Sequence, residues 1–208
     1  MVFGQNNRSE TTDFMGRKLE FNYDQALDRA TRVFWAKGYA AASMRDLLKA
    51  MRIGEGSFYH LFKGKRQLYL ECLKHYNADV TRKRVEALTS EPSIKKAVRA
   101  FFHNVLEELE NPRTPRVCLL AQSVSADVME ESELGCYVKE QMAGFEKYFF
   151  ERLEEAKKSG ELPEDFQSEV TAGVIVTYLQ GFFRVVHLLK SRQEMWRQID
   201  TLLNGLGL

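Results

Sequence analysis

The stretch SMRDLLKAMRIGEGSFYHLFKGK, residues 43–65, has the pattern of two short helices joined by a tight turn. Its first half carries apolar residues at the spacing of a single helical face: Met44, Leu47, Leu48 and Met51. Ser43 comes directly before this face, and serine is a favoured N-cap residue because its hydroxyl binds a free backbone N–H. The first half therefore predicts a short amphipathic helix that begins after Ser43.

A second short helix is expected to begin near Glu55, after the turn at residues 50–54. Three of its residues are apolar and predicted to be buried: Phe58, Leu61 and Phe62. Hydroxyl, phenol and imidazole groups occupy the other side, and two cations follow: Ser57, Tyr59, His60, Lys63 and Lys65. A short helix that is held at an angle by a partner and presents hydrogen-bond donors suits the major groove of DNA. The stretch thus predicts a helix-turn-helix.

At these residues the chain resembles the TetR family of bacterial transcriptional repressors. The family's DNA-binding domain has a first helix ending in Phe-x-x-x-Gly-Tyr, a Leu-rich helix, a turn, a recognition helix ending in Tyr-x-x-Phe, and a Lys shortly after. The matching pieces of this chain are Phe34 to Gly38-Tyr39, Ser43, Leu47-Leu48, Tyr59-His60-Leu61-Phe62 and Lys65. Specific motifs cover roughly residues 16–75, and the remainder resembles the family only in its helical pattern.

Three positions depart from the family pattern. Ala42 stands where the family usually has Thr, and Gly54 stands at an N-cap where Ser is common. Arg52 replaces the usual turn glycine, and a left-handed backbone at a non-glycine residue costs on the order of 1 kcal/mol. Little loss is expected at Gly54, because Gly is an acceptable N-cap.

The resemblance implies a set of DNA contacts. Ser57, Tyr59 and His60 are expected to make groove and phosphate contacts, Ser43 and Lys65 to bind phosphates, and Arg17 and Lys18 to reach the neighbouring minor groove. The full set of candidate DNA-binding residues is Arg17, Lys18, Ser43, Gly54, Ser57, Phe58, Tyr59, His60, Lys63 and Lys65.

The charge distribution fits this assignment. The 208-residue chain has a formal net charge of only +1, with 44% hydrophobic and 28% charged residues. Residues 1–66 carry 12 Lys and Arg against 7 Asp and Glu, whereas residues 67–208 carry 18 against 22. The basic part is the part with the helix-turn-helix pattern, and Lys and Arg supply most sequence-independent affinity for DNA. We therefore expect a DNA-binding domain at residues 1–66 and a helical effector-binding and dimerisation domain at residues 67–208.

The remainder predicts an all-α fold, because nine helical segments and no convincing strand can be distinguished. After the three helices of the first domain, these segments cover about residues 66–89, 94–109, 117–128, 132–158, 167–190 and 192–203. There is no run of about 18 apolar residues and no secretory signal pattern, so a cytoplasmic protein without a membrane partner is expected. The odd number of cysteines, Cys72, Cys118 and Cys136, also favours a reducing compartment.

The resemblance further implies a homodimer that binds a near-palindromic operator. In such a dimer the two DNA-binding domains, called heads below, are related by a two-fold axis. They read half-sites about 34–36 Å apart or a multiple of that distance. The last two helices are the expected interface, although packing within one subunit explains some of their apolar residues equally well. The candidate interface residues are Tyr178, Phe182, Phe183, Val186, Leu202 and Leu203.

A small-molecule effector of apolar or aromatic character is also implied, because regulators of this kind release DNA when a ligand fills the body. The candidate pocket residues are Phe101, Phe102, Cys118, Met142, Phe145, Phe149 and Tyr178. An ordinary full core explains any one of them about as well. The effector would shift the helix at about residues 66–89, and with it the spacing of the two heads.

Cys118 offers an alternative way to control the same scaffold. It opens the segment Val117-Cys118-Leu119-Leu120, which resembles a Gly-Cys-Leu-Leu stretch of many such repressors. The N-terminus of a helix and the nearby Arg113 and Arg116 favour a thiolate, so a redox or electrophile sensor is possible. The competing interpretation is a small buried apolar residue, which is the commoner role of a free cysteine.

Other classes of function have less support. The chain has no Gly-x-Ser-x-Gly, no phosphate-binding glycine loop and no His-Glu-x-x-His, so an enzyme is not expected. His75, His103 and His187 lie in separate helices without the spacing of a zinc site, so neither a metal nor another cofactor is expected. A purely structural helical adaptor would not need a basic head.

Overall fold

The computed structural model describes residues 22–112, 114–188 and 191–208, and in these ranges the chain forms eleven α-helices and no strand. The helices are α1 (Tyr23–Ala41), α2 (Met44–Met51), α3 (Glu55–Phe62), α4 (Lys65–Tyr76), α5 (Arg82–Thr89), α6 (Ile94–Glu110), α7 (Leu119–Gln122), α8 (Ala126–Met129), α9 (Ser132–Lys158), α10 (Ser168–Val185) and α11 (Arg192–Gly205). A π-helix, Asn77–Thr81, joins α4 to α5, and a 3₁₀ turn, Val186–Leu188, follows α10. The all-α fold predicted from the sequence is confirmed.

The ends of α1 follow from local chemistry. The Asn22 side chain accepts a hydrogen bond from the Gln25 N–H at 3.0 Å and so caps the start of the helix. The regular helix breaks at Gly38, whose φ of +81° is open to glycine and costly for other residues. The chain then bends toward α2, and the Ala42 N–H binds the Gly38 carbonyl at 3.3 Å.

Helix α2 begins with a capping box. The Ser43 hydroxyl accepts from the Asp46 N–H at 3.2 Å, and the Asp46 carboxylate accepts from the Ser43 N–H at 3.3 Å. At its other end, Arg52 adopts the left-handed conformation with φ 58° and ψ 42°. The prediction that this arginine takes the left-handed conformation of a turn glycine is therefore confirmed.

The core of the head consists mainly of aromatic rings. Phe58 and Phe62 of α3 are fully buried, with ring centroids 5.7 Å apart, and the Phe34 ring of α1 meets Tyr69 of α4 edge-on at 4.7 Å. Leu61 does not join them, because 37% of its surface is exposed. The prediction that Leu61 is buried is wrong: α3 turns only a narrow face to the core, and Leu61 lies at the edge of that face.

The helix expected at residues 66–89 is present, but a π-helix interrupts it. The extra residue per turn places Asn77 where its amide donates to the Tyr137 hydroxyl at 2.8 Å and to the Gln141 carbonyl oxygen at 2.9 Å. Both partners belong to α9. Local π-geometry is often found at functional positions in helices. Here it fixes the connection between head and body to the longest helix of the body.

Further bounds in the body differ from the sequence prediction. The helix expected at residues 117–128 is two four-residue helices, α7 and α8, because the chain turns between Ser123 and Ser125. The helix expected at 167–190 ends at Val185. The predicted bounds of α9 are confirmed at both ends, and Gly160 follows it with φ +79°. Eleven α-helices thus replace the nine expected, in the part of the chain that the structure describes.

The segment 117–124 is in contact with both head and body. The indole N–H of Trp35, in α1, donates to the carbonyl of its first residue. The hydroxyl of Tyr69, in α4, lies 2.7 Å from that of Ser123, and both are buried. From the body, the Arg184 guanidinium donates to two carbonyls of the segment at 3.3 and 3.1 Å. This segment is therefore the joint between the two parts.

Across the described ranges, none of the helices has both the length and the apolar character needed to cross a bilayer.

Gly135 provides a test of the packing of α9. A methyl group at this position would lie 2.8 Å from the backbone oxygen of Met129, closer than real Cβ contacts allow. Gly135→Ala should therefore lower the free energy of unfolding by about 1–3 kcal/mol, as overpacking does.

Gly144→Ala is the matched control, because it lies in the same helix and no described atom lies within 4 Å of the added methyl. This change should raise the free energy of unfolding by about 0.5–1 kcal/mol through helix propensity alone. Urea unfolding at equal protein concentration measures both effects. Equal values for the two variants would contradict the close approach at Gly135.

Candidate DNA-binding site

Two buried rings hold α3 against the head and leave its other side in solvent. Phe58 is 0% exposed and Phe62 is 1% exposed, whereas Tyr59 between them is 50% exposed. Phe58 was included among the candidate DNA contacts, and its burial removes its side chain from that set. Its contribution is to position Tyr59, whose ring meets it edge-on at 5.2 Å.

An open cleft of about 900 Å³ runs beside α3. On the α3 side it is lined by Gly56, Ser57, His60 and Leu61, and with Gly54 three of the predicted contacts line the cleft. The opposite side is formed by the start of α1 and the turn after α2, which contribute Asn22, Gln25, Arg29, Met51, Arg52, Ile53 and Gly54. The cleft therefore combines hydrogen-bond donors of α3 with the cations Arg29 and Arg52, a combination that suits a polyanion.

Sequence reasoning missed both arginines as site residues. Arg29 follows Gln25 by one helical turn, so the 3.6-residue period of α1 would have placed them together. Arg52 was considered only for its backbone conformation.

The Ser43 hydroxyl is engaged within the protein. Besides capping α2, it donates to the Asp46 carboxylate at 2.7 Å, and Lys37 donates to the same oxygen at 2.8 Å. The hydrogen bonds from Lys37 and Ser43 hold the pKa of Asp46 well below its usual value, so this carboxylate is charged at neutral pH. A phosphate contact through Ser43 would have to replace its bond to Asp46.

Lys65 is similarly engaged. Its ammonium donates to the Ala40 carbonyl at 3.2 Å and lies 4.8 Å from the centre of the Tyr39 ring. Partial burial lowers the pKa of this ammonium. The group is thus held at the junction of α1, α2 and α4, and a phosphate there would have to share it with Ala40.

Two of the remaining candidates lie on the surface. Lys63 is exposed and has a left-handed backbone with φ 55°. Gly54 is the N-cap of α3, and no described atom lies within 4 Å of a methyl group placed there. Arg17 and Lys18 lie outside the described residues.

The candidate pocket residues of the body are mostly packed against one another. Phe101 meets Phe102, Phe145 and Phe149 edge-on, with ring centroids 5.5, 6.4 and 5.0 Å away. These four rings are buried, whereas Met142 and Tyr178 are half-buried. Cys118 is buried in a separate polar cluster that is described below. An effector pocket at these residues stays a prediction.

The candidate interface residues divide into two groups. Four of them are already in the core of a single chain, with at most 2% exposed surface: Phe182, Phe183, Val186 and Leu203. Their burial corrects the prediction that they lie between subunits. Tyr178 and Leu202 are half-buried and line an open cleft of about 440 Å³ between α10 and α11.

Helix α10 presents a different apolar face to solvent. Five of its exposed residues recur every three or four positions along one stripe, namely Val170, Val174, Thr177, Gly181 and Val185, and the charged Glu169 and Arg184 lie beside it. Val170 is 63% exposed and Val174 is 38% exposed. Leu188, in the 3₁₀ turn, continues this stripe and is 68% exposed.

Comparison with known proteins agrees with this architecture. The family model of bacterial regulatory proteins, tetR family, matches residues 26–72. The uncharacterized HTH-type transcriptional regulator YezE of Bacillus subtilis (strain 168) is 32% identical over 148 residues, which cover 71% of this chain and 76% of that protein. The HTH-type transcriptional repressor ComR of Escherichia coli (strain K12) is 25% identical over 167 residues, covering 80% of each chain.

A solved structure has the same overall fold. It is that of the TetR family transcriptional regulator CifR, a cysteine mutant complexed with 26-bp double-strand operator DNA. Its TM-score to this chain is 0.84, with 27% sequence identity, and the match covers 90% of this chain and 98% of that one. With the helix-turn-helix, the helical body and these relatives taken together, the chain belongs to the TetR family of bacterial regulatory proteins and is a transcriptional regulator.

Proposed function

We propose that this protein is a repressor that binds a near-palindromic operator as a homodimer and leaves it when a small molecule binds the body. The observation that carries the proposal is the surface of α3, where buried Phe58 and Phe62 hold Ser57, Tyr59 and His60 toward solvent. Support comes from CifR, a relative with 27% identity that was solved with operator DNA. The protein would act in the cytoplasm, where a bacterial operator lies.

The DNA contacts would divide between base edges and phosphates. Ser57 and His60, on the cleft side of α3, would contact base edges in the major groove. Arg29 and Arg52 border the same cleft and would meet the phosphates that flank it. The net charge of +5 on residues 1–66, against −4 on the rest, would bring the head rather than the body to DNA.

The dimer would form through the exposed stripe of α10. In a dimer with a two-fold axis, the same surface of each subunit packs against its copy. The exposed apolar stripe of α10 would therefore pack against the same stripe of the partner subunit. The open cleft beside Tyr178 and Leu202 would receive side chains of the partner's α10 or α11. This assignment replaces the buried Phe182 and Phe183 by exposed Val170 and Val174.

The effector is proposed to be small and apolar or aromatic, and to bind among the aromatic residues of the body. It must bind the DNA-free arrangement more tightly than the DNA-bound one, since a ligand shifts an equilibrium only by its difference in affinity. The head is connected to the body by α4, the π-helix and α5, and the Asn77 side chain donates a hydrogen bond to Tyr137 of α9. A change in the body would reach the head through this path.

A selection experiment tests the DNA-binding proposal without knowledge of the operator. The full chain is used to select binders from 26-bp duplexes with randomised sequence. The expected product is an inverted repeat with half-site centres about one or more helical turns apart, and its affinity should fall steeply with salt. Enrichment of no sequence, or of a single unrepeated half-site, would contradict the proposal.

Tyr59→Phe tests the predicted contact of α3 with phosphate. The change removes one hydroxyl and keeps the edge-on contact with Phe58, so the free energy of unfolding should not change. Affinity for the selected duplex should fall about tenfold, from a hydrogen bond to a charged group worth about 1.5 kcal/mol. Fluorescence anisotropy measures the affinity.

Tyr148→Phe is the matched control for this variant. Tyr148 is 44% exposed on α9 of the body, so loss of its hydroxyl should leave DNA affinity unchanged. The assignment of Tyr59 fails if both variants bind the duplex as tightly as the parent.

Val174→Glu tests the proposed interface. Two copies of this glutamate would face each other across the two-fold axis, and burial of unpaired charge should raise the dimer dissociation constant at least about tenfold. Val174→Ala keeps the face apolar and should remain dimeric at the same concentration. Sedimentation velocity measures both, and circular dichroism checks that the monomer is folded. A Val174→Glu protein that stays dimeric would place the interface elsewhere.

A further inference from the structure

Helix α3 carries one acidic residue, Glu55, on the surface where the proposed function brings DNA. Glu55 is the first residue of this helix, and its side chain is exposed. Among the described residues, its carboxylate takes part in no hydrogen bond or ion pair. An unpaired negative charge beside phosphates weakens binding to every DNA sequence, because like charges repel. Its presence on α3 therefore indicates a specific role.

Other carboxylates of the head are neutralised within the protein. In residues 22–66, the Asp46 carboxylate lies 2.8 Å from the ammonium of Lys37. The Asp28 carboxylate lies 3.1 Å from the guanidinium of Arg32. The carboxylate of α3 differs from these two because it is left for a partner outside the chain.

The start of α3 presents Glu55 as its longest exposed side chain. Gly54 is the N-cap and Gly56 follows Glu55, so bare backbone lies on both sides. A methyl group built on either glycine would meet no described atom within 4 Å. In the rest of the first turn, Ser57 is short and Phe58 is buried. Glycines permit close approach of a backbone to a ligand, so this end of α3 can approach base pairs with Glu55 projecting from it.

We propose that Glu55 determines part of the operator sequence, by accepting a hydrogen bond from the N4 amino group of a cytosine in the major groove. The inference deepens the proposed function and rests on it. In helix-turn-helix proteins, the N-terminal residues of the second helix contact base edges. Glu55 holds the first of these positions.

The chemistry of the base edges selects cytosine. A carboxylate has acceptors and no donor, so it binds only to edges that present an N–H. In the major groove, guanine and thymine present acceptors, whereas cytosine and adenine present amino groups. Adenine also presents the acceptor N7 beside its amino group, and this atom repels a carboxylate. Cytosine presents the donor alone and is therefore the base that Glu55 accepts best.

Glu55 would read a base pair next to those contacted from the cleft. Ser57 and His60 line the cleft beside α3, and Glu55 does not. Tyr59 lies one helical turn after Glu55, on the same side of the helix. In a homodimer each head would carry this contact, so the cytosine would occur once in each half-site of the inverted repeat.

Selection with variants tests this assignment. The parent, Glu55→Gln and Glu55→Ala are each used to select binders from randomised 26-bp duplexes. The parent should enrich cytosine at one position of each half-site. Glu55→Gln should enrich adenine there, because a glutamine amide binds N6 and N7 of adenine together. Glu55→Ala should lose the preference at that position and keep it at the others.

An altered operator measures the hydrogen bond directly. N4-methylcytosine, placed at the selected cytosine, still pairs with guanine but carries a methyl group where the free amino hydrogen faced the groove. The parent should bind this duplex about tenfold more weakly than the unmodified one, whereas Glu55→Ala should bind the two equally. Fluorescence anisotropy measures the affinities, and circular dichroism establishes that each variant is folded.

Asp24→Asn is the matched control, because Asp24 is exposed in the first turn of α1 and the change removes the same charge from the head. This variant should select the same bases as the parent. The inference is overturned if the Glu55 variants also select the parent's bases at every position, or if the parent binds the methylated duplex as tightly as the unmodified one. Both results leave the proposed function intact. A parent that binds no duplex would contradict the proposed function, and the contact of Glu55 with it.

Discussion

The buried guanidinium of Arg84 is the interaction on which the relative position of the helices depends. A charge in the protein interior is tolerated only when charged and hydrogen-bonding partners surround it, and the loss of one partner typically costs about 3–5 kcal/mol. Arg84 meets Glu108 of α6, Tyr76 of α4 and the sulfur of Cys118, and the ring of Phe183, in α10, lies 5.0 Å away. Four parts of the chain are thus held to one cation.

The segment 117–124 extends this constraint from the body to the head. Trp35 and Tyr69 bind it from the head side, and Arg184 binds it from α10. Both parts therefore make hydrogen bonds to the same short segment, which connects the head to the body. The π-helix at Asn77–Thr81 adds a second connection, since Asn77 binds α9. A regulator in which binding to the body changes the spacing of two heads needs this kind of rigid connection.

Local signals in the sequence predicted the helix ends well, because caps and turns depend on residues at most four positions apart. The roles of Ser43 and Arg52 are examples. Errors arose where the environment of a side chain depends on distant helices. Leu61 was predicted to be buried and is exposed, and Phe58 was included among the DNA contacts although its ring is in the core.

The sequence by itself determined the all-α class, the helix-turn-helix and the family resemblance, since periodicity, caps and turn residues are local properties. Only the tertiary structure decided which cation neighbours Cys118. The sequence suggested Arg113, which lies outside the described residues, and Arg116, which is exposed, whereas the cation beside the sulfur is Arg84, 34 residues earlier. The tertiary structure also decided which face of α10 is free, because burial of Phe182 and Phe183 against other helices leaves Val170 and Val174 in solvent. Such pairings follow from how whole helices pack, and packing brings together residues that no local pattern relates.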